Sequence, residues 1–329
     1  PMRNWTMKLA LILISVLALM GEAYAVELGI TTGSEKGTYY QFGLNLKELV
    51  KQYNFQLNVL PSNGSIDNIN LVYRKPQAQL GIVQSDVLAF VARVQTNQVL
   101  RDVSQKIKMV FPLYNEEIHL IGKKGISGFD DLAGKKVAIG AEGSGTYVTA
   151  KLLFEVSKVK PGEILTIGPE EGLAELKAGK IDAMFYVAGY PVKLFTEKVS
   201  EQDGLALLPI LNPAVVQFYP NAEIPAGVYA WQKEPVSTVA VKAVLIAYNF
   251  RTANCYNIGQ FAAIIAENMD WLIANGHPKW KAVDLNYPLK GWEQYDCVRV
   301  QLEKGRKSKG GKSPADLNPV LDAIKEILR

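Results

Sequence analysis

Twice in this chain an apolar run that reads as a strand gives way to a glycine-rich turn and then to a helical pattern. No other feature constrains the fold as much. Glu27-Leu28-Gly29-Ile30-Thr31 leads into Gly33-Ser34-Glu35-Lys36-Gly37-Thr38-Tyr39-Tyr40, and Lys136-Val137-Ala138-Ile139-Gly140 leads into Gly143-Ser144-Gly145-Thr146-Tyr147. A turn of this kind aims free backbone N–H groups and the positive end of a helix dipole at one spot. Serine and threonine add hydroxyls there, which suits a small anion or polar ligand. Two such turns, more than a hundred residues apart, point to two lobes that each present one to a shared cleft.

Two further turns follow the same plan. Pro61-Ser62-Asn63-Gly64-Ser65-Ile66-Asp67-Asn68 follows the strand candidate Gln56–Leu60, and Gln84-Ser85-Asp86 follows Leu80–Val83. Other strand candidates are Ile107–Leu113, Ile118–Ile121, Val137–Ile139, Ile164–Ile167, Ile181–Tyr186 and Leu205–Ile210. Helical stripes lie between them, such as Phe42, Leu46, Leu49 and Val50, or later Ile258, Phe261, Ile265 and Leu272. Strands alternating with helices argue an α/β fold with largely parallel sheets, in which ligands bind at the carboxyl ends of the strands. Tyr186-Val187-Ala188-Gly189-Tyr190-Pro191 ends another strand in a small turn. Tyr39, Tyr40, Tyr147, Tyr186 and Tyr229 either close over a ligand or pack half-buried.

The beginning reads as a secretory signal peptide, residues 1–25. Arg3 and Lys8 form a basic stretch, Leu9 to Met20 an apolar run, and Ala23-Tyr24-Ala25 a small-x-small cleavage site. No later segment is apolar enough to span a membrane, so the mature protein is expected in the periplasm. Its two cysteines, Cys255 and Cys297, then suit a disulfide, or else two separate buried thiols. The net charge of +4 is mild, and much of the excess sits in Lys304, Arg306, Lys307, Lys309 and Lys312, which excludes an electrostatic case for nucleic acid.

Two strand-like runs meet around Tyr114-Asn115-Glu116-Glu117, and a fresh unit starts at Gly125. We expect a discontinuous first lobe, 26–115 and 226–302, with a second lobe, 116–225, inserted between two hinge strands. The region after Val236 reads as mostly helical. Residues 303–329 read as a solvated linker and an amphipathic C-terminal helix. Ser313 caps that helix, and Leu317, Val320, Leu321, Ile324, Ile327 and Leu328 stripe it. It either docks on its own lobe or meets a partner or a membrane surface.

Signals for an enzyme fail. His119 and His277 are the only histidines, and neither has metal-ligand spacing. No Gly-x-Ser-x-Gly elbow exists, and Thr146 stands where a phosphate loop needs lysine. Asp130-Asp131 and Glu170-Glu171 read as helix caps. No cofactor or metal is expected.

The chain resembles a TAXI-type solute receptor, the extracytoplasmic component of one class of TRAP transporter. The resemblance rests on short stretches in family order. The first three are Thr32-Gly33-Ser34 with Gly37-Thr38-Tyr39-Tyr40 and Gly43, Asn63-Gly64-Ser65 with Asn68, and Val83-Gln84-Ser85-Asp86. Next come Val137-Ala138-Ile139-Gly140 with Gly143-Ser144-Gly145-Thr146 and Ala150, then Leu176 with Gly179 and Ile181-Asp182-Ala183. Val187-Ala188-Gly189 with Pro191 and Ile224-Pro225-Ala226-Gly227 with Tyr229 complete the set. The resemblance implies a two-lobed, type II-like periplasmic-binding-protein clamshell. It also implies capture of a small organic anion or amino acid, such as glutamate, glutamine or a 2-oxoacid, for TRAP permease subunits. On this reading Ser34, Gly37, Thr38, Tyr39, Tyr40, Ser65, Ser144, Gly145 and Thr146 hold carboxylate oxygens or close over the ligand. Asn68, Gln84, Ser85 and Asp86 read its other end, and Tyr186, Gly189 and Tyr229 flank it. Glu142 replaces an uncharged residue of the family, and Asp86 and Glu142 are the expected partners for a ligand amine. The alternatives are a ligand-sensing subunit of a membrane signalling system with the same cleft, or an enzyme on the same fold.

Overall fold

The structure, a computed structural model, describes residues 25–94 and 98–308. The expected signal peptide and the C-terminal helix at 313–328 lie outside the described residues. The first half runs β1 (Val26–Thr31), α1 (Thr38–Lys51), β2 (Phe55–Leu60), α2 (Ser65–Arg74), β3 (Leu80–Gln84) and α3 (Ser85–Ala89). A π-helical stretch (Phe90–Val94), α4 (Gln98–Lys106) and a 17-residue strand β4 (Ile107–Lys123) follow. Next come β5 (Lys136–Ala138), α5 (Gly145–Ser157), β6 (Glu163–Leu165), α6 (Pro169–Lys177), β7 (Ala183–Ala188), α7 (Lys193–Lys198), β8 (Leu205–Leu207), α8 (Pro213–Val216) and β9 (Asn221–Ile224). The described residues end with β10 (Val236–Tyr248), α9 (Ala253–Glu267), α10 (Met269–Asn275), a 3-10 turn (Pro278–Ala282) and α11 (Asp296–Ser308).

The strands form one sheet in the order β2-β1-β3-β10-β4-β7-β5-β6, with β8 on β4 and β9 on β10. Parallel pairs at the two ends, β1 with β2 and β3, and β5 with β6 and β7, flank an antiparallel centre made by β10 and β4. Each parallel strand is joined to the next by a helix, as parallel pairing demands. That puts the starts of α1, α2, α5 and α6 at the carboxyl ends of their strands.

Two lobes result, each with its own cores. Phe42, Leu46, Leu57, Phe111, Tyr114, Leu245, Phe261 and Trp280 fill one face of the first, with Phe42 stacked on Trp280 at 4.2 Å. The second is filled by Leu120, Phe129, Phe154 and Phe185 on one side, and by Leu173, Phe195, Tyr229 and Trp231 on the other. Both β4 and β10 run from one lobe into the other: Val110 and Phe111 pack in the first while Ile118 and Leu120 pack in the second, and Leu245 and Val239 divide likewise. Val236–Tyr248 is thus a strand where the sequence suggests helix, because it is clamped between β3 and β4 with nine of its thirteen residues buried. Cys255 of α9 and Cys297 of α11 are joined by a disulfide. Among the described residues no helix is long and apolar enough to cross a membrane.

Candidate functional site

Four helix N-termini converge on one cleft of 430 Å³ between the lobes. The volume falls in the range of small-molecule sites, roughly 300–1,000 Å³. From the first lobe come Gly37-Thr38-Tyr39 of α1 and Gly64-Ser65 of α2; from the second come Ser144-Gly145-Thr146 of α5 and Gly168-Pro169-Glu170 of α6. The starts of α2 and α5 nearly abut: a Cβ on Gly64, whose φ is +122°, would sit 3.4 Å from the Ser144 Cα. The amide N–H groups of Ser65, Gly145 and Thr146 have no partner among the described residues. Such groups are the positive end of a helix and favour an anion.

The hydroxyls are set by the backbone beneath them. Ser65 Oγ accepts the Gln84 N–H at 3.0 Å, Ser144 Oγ the Tyr147 N–H at 3.0 Å, and Thr146 Oγ1 the Val187 N–H at 3.1 Å. A hydroxyl that accepts through a lone pair keeps its proton to donate. The floor is Glu116, in the middle of β4. Tyr39 donates its phenolic proton to Glu116 Oε2 at 2.7 Å, and Glu116 is only 1 % exposed. Burial pushes the Glu116 carboxyl well above the usual carboxylate range and the Tyr39 phenol well above its own. The neighbouring Glu117 meets Lys279 at 2.6 Å, and Lys279 also lies over the Tyr190 ring at 3.8 Å.

The lobes touch across the cleft. Thr38 Oγ1 donates to the Gly189 carbonyl at 2.5 Å, Asp67 N–H to the Gly143 carbonyl at 3.0 Å, and Ser34 Oγ to Glu170. Lys36 adds an ion pair with Glu197 at 3.4 Å, and its carbonyl accepts the Leu194 N–H at 3.3 Å.

Of the residues singled out in the sequence, Ser34, Gly37, Thr38, Tyr39, Ser65, Gln84, Ser144, Gly145, Thr146 and Tyr186 line the cleft. Six others do not. Asn68 is fully used inside the first lobe: its amide donates to the Thr32 and Ile82 carbonyls, and its oxygen accepts from Thr31 and Ser62. Ser85 Oγ accepts the Lys242 N–H at 3.0 Å. Asp86 is enclosed behind the cleft by Thr149 at 2.7 Å, Gln84 at 3.3 Å and Tyr219 at 3.2 Å. Tyr229 hydrogen-bonds His119 at 2.8 Å inside the second lobe, Tyr40 is half-buried off the lining, and Gly189 contributes its carbonyl to Thr38. Glu142 is exposed and also off the lining.

Sequence reasoning missed Glu116 and Glu170. A carboxylate pair inside an apolar strand was the available signal for the first. Gly168-Pro169-Glu170, after the strand Glu163–Leu165, is a fifth strand-to-helix turn and signalled the second.

Comparison with known proteins follows the geometry. Residues 30–287 match the NMT1-like family. Among solved structures, the fold is similar to that of the periplasmic binding protein BugD, at TM-score 0.53 and 10% identity, covering 87% of this chain and 98% of that one. It is also similar to Tv2483 bound to L-arginine, at TM-score 0.50 and 12% identity, covering 80% and 94%. At such identities the likeness shows a type II-like periplasmic-binding-protein fold.

Proposed function

The chain belongs to the NMT1-like family, and from that premise we propose that it is a periplasmic solute-binding receptor which closes two lobes over a small carboxylate. The observation that carries this reading is the convergence of four helix N-termini from both lobes on one cleft. Unpartnered N–H groups and hydroxyls of Ser65, Ser144, Gly145 and Thr146 hold the carboxylate oxygens. Thr38, Tyr39, Gln84 and Tyr186 wall the remainder. No histidine or cysteine is among the described residues that line the cleft. The likeness to a periplasmic binding protein and to a protein bound to L-arginine supports the same role.

We place the first lobe at 26–115 and the second from 116 into β10, with the return to the first lobe inside β10 and that lobe completed by residue 302. Tyr229 and Trp231 pack with Phe195 of the second lobe, which moves the return beyond residue 226. Export by a signal peptide at 1–25 follows from the basic, apolar and small-residue pattern of its sequence, and delivery of glutamate, glutamine or a 2-oxoacid to TRAP permease subunits from the TAXI-type resemblance. The test is thermal unfolding of the mature chain with L-glutamate, L-glutamine, 2-oxoglutarate and other small acids. A ligand at a hundred times its Kd adds about 2.7 kcal/mol of stability. Alanine at Ser65, Ser144 and Thr146 together removes that shift. No shift with any carboxylate overturns the reading.

A further inference from the structure

We propose that the floor of the cleft is an acceptor for an ammonium group, with Glu116 as the residue that selects an α-amino acid over simple mono- and dicarboxylates. The inference rests on the receptor reading above and deepens it.

Glu116 lines the cleft although it is almost wholly buried. Its Oε2 takes the Tyr39 phenol, while its Oε1 has no hydrogen-bond partner among the described residues. Its neighbour explains why no cation of the protein satisfies it. Successive side chains of a strand point to opposite faces, and Lys279 lies on the Glu117 side, where the pair is 5 % and 6 % exposed. With no cation beside it, burial holds the Glu116 carboxyl toward its neutral form; a ligand ammonium at Oε1 lets it ionise, and that ion pair is open to an amino acid and not to a ligand that brings another carboxylate.

The opposite pole is close by. Ser65, at the start of α2, lines the same cleft as the Tyr39 phenol that bonds Glu116 and is among the groups acting on that phenol. The corner rich in N–H groups and hydroxyls and the corner that accepts a cation thus share one small cleft, with Tyr39 in the lining of both. A complementary ligand carries its carboxylate and its ammonium on the same carbon. The acids expected from the sequence to meet an amine are elsewhere: Asp86 is enclosed by Gln84, Thr149 and Tyr219, and Glu142 faces solvent. Glu170 lines the cleft but is engaged by Ser34.

The test is isothermal titration of the mature chain with the common L-amino acids, the 2-oxo acid of each and simple dicarboxylates. At least one amino acid binds about tenfold to a hundredfold tighter than its own 2-oxo acid, the loss expected of a charged hydrogen bond. Glu116→Gln, which keeps the shape and the Tyr39 contact, erases that ratio. A 2-oxo acid or dicarboxylate that binds wild type as tightly as any amino acid overturns the inference and leaves the receptor reading standing. So does a Glu116→Gln variant that retains the preference. Failure of every carboxylate to bind overturns both. Should the variant not fold, the wild-type ratio decides alone.

Discussion

His119 shows how single residues divide between holding the fold and facing the cleft. Its Nδ1 meets the Glu117 carbonyl at 2.9 Å and its Nε2 meets the Tyr229 hydroxyl at 2.8 Å. Tyr229 already accepts the Val192 N–H, so its proton goes to Nε2 and the imidazole is the neutral Nδ1–H tautomer. Burial accordingly drops its pKa from 6.5 to about 3. Below pH 6.5 the unfolded chain takes up a proton that the folded chain refuses, so this group costs about 1.4 kcal/mol of stability per pH unit down to about 3. The buried carboxyls of Glu116 and Asp86, raised by desolvation, act in the opposite sense. Unfolding of wild type and His119→Gln across pH 4–8 isolates the histidine: the gap between the curves changes by that slope below 6.5 and is flat above. Gly145 offers a second check. A Cβ there collides with Gln84 Oε1 and comes within 2.6 Å of Ser65 Oγ, both on the facing lobe. Gly145→Ala therefore lowers affinity on the order of tenfold by emptying the closed state, while ligand-free stability stays within about 1 kcal/mol. Calorimetry reads the first and thermal unfolding the second. At this scale the sequence disclosed the hydroxyls at helix starts, because a serine or threonine before a helix has few other uses. It could not separate Ser144 from Asn68 or Ser85. All three are polar residues in or just after strand-to-helix turns, and only the tertiary contacts decide which way each is turned.

Among elements, the strand-to-helix units were legible because hydrophobic period and turn chemistry agree in each of them. Val236–Tyr248 was not. Ten of the thirteen residues from Val236 to Tyr248 are apolar, and burial on both faces erases the alternation that marks a strand. The break seen in the sequence at Asn115-Glu116-Glu117 likewise vanishes into one continuous β4, since Tyr39 and Lys279 give the two carboxylates partners. The helix pair α9 and α11 carries its own prediction. The disulfide between Cys255 and Cys297 spans 42 residues, and loop-closure entropy over such a span is worth about 4 kcal/mol. A Cys255→Ala/Cys297→Ala double variant should lose stability of that order in urea unfolding and keep its ligand affinity, because neither helix reaches the cleft.

At the scale of the whole molecule, the contacts of Ser34, Lys36, Thr38 and Asp67 with the facing lobe describe a closed clamshell. Solution scattering on the mature chain should show the radius of gyration falling when a bound acid is added, with the change blunted in Gly145→Ala. The two crossings are neighbours: β4 and β10 pair with each other from Glu117 and Ala240 to Ile107 and Tyr248, and their register slips between Lys242 and Val244. A register slip is where a ladder is weakened and a strand bends. Two laced strands flex across their flat face and resist shear within it, so the joint has one soft direction, like a leaf spring. Glu116 sits opposite Val241, next to that slip. On the receptor reading proposed above, a solute lodged against it would load the spring at mid-span, and the occupancy of the cleft and the angle between the lobes would be a single mechanical coordinate, with no signal to carry between them.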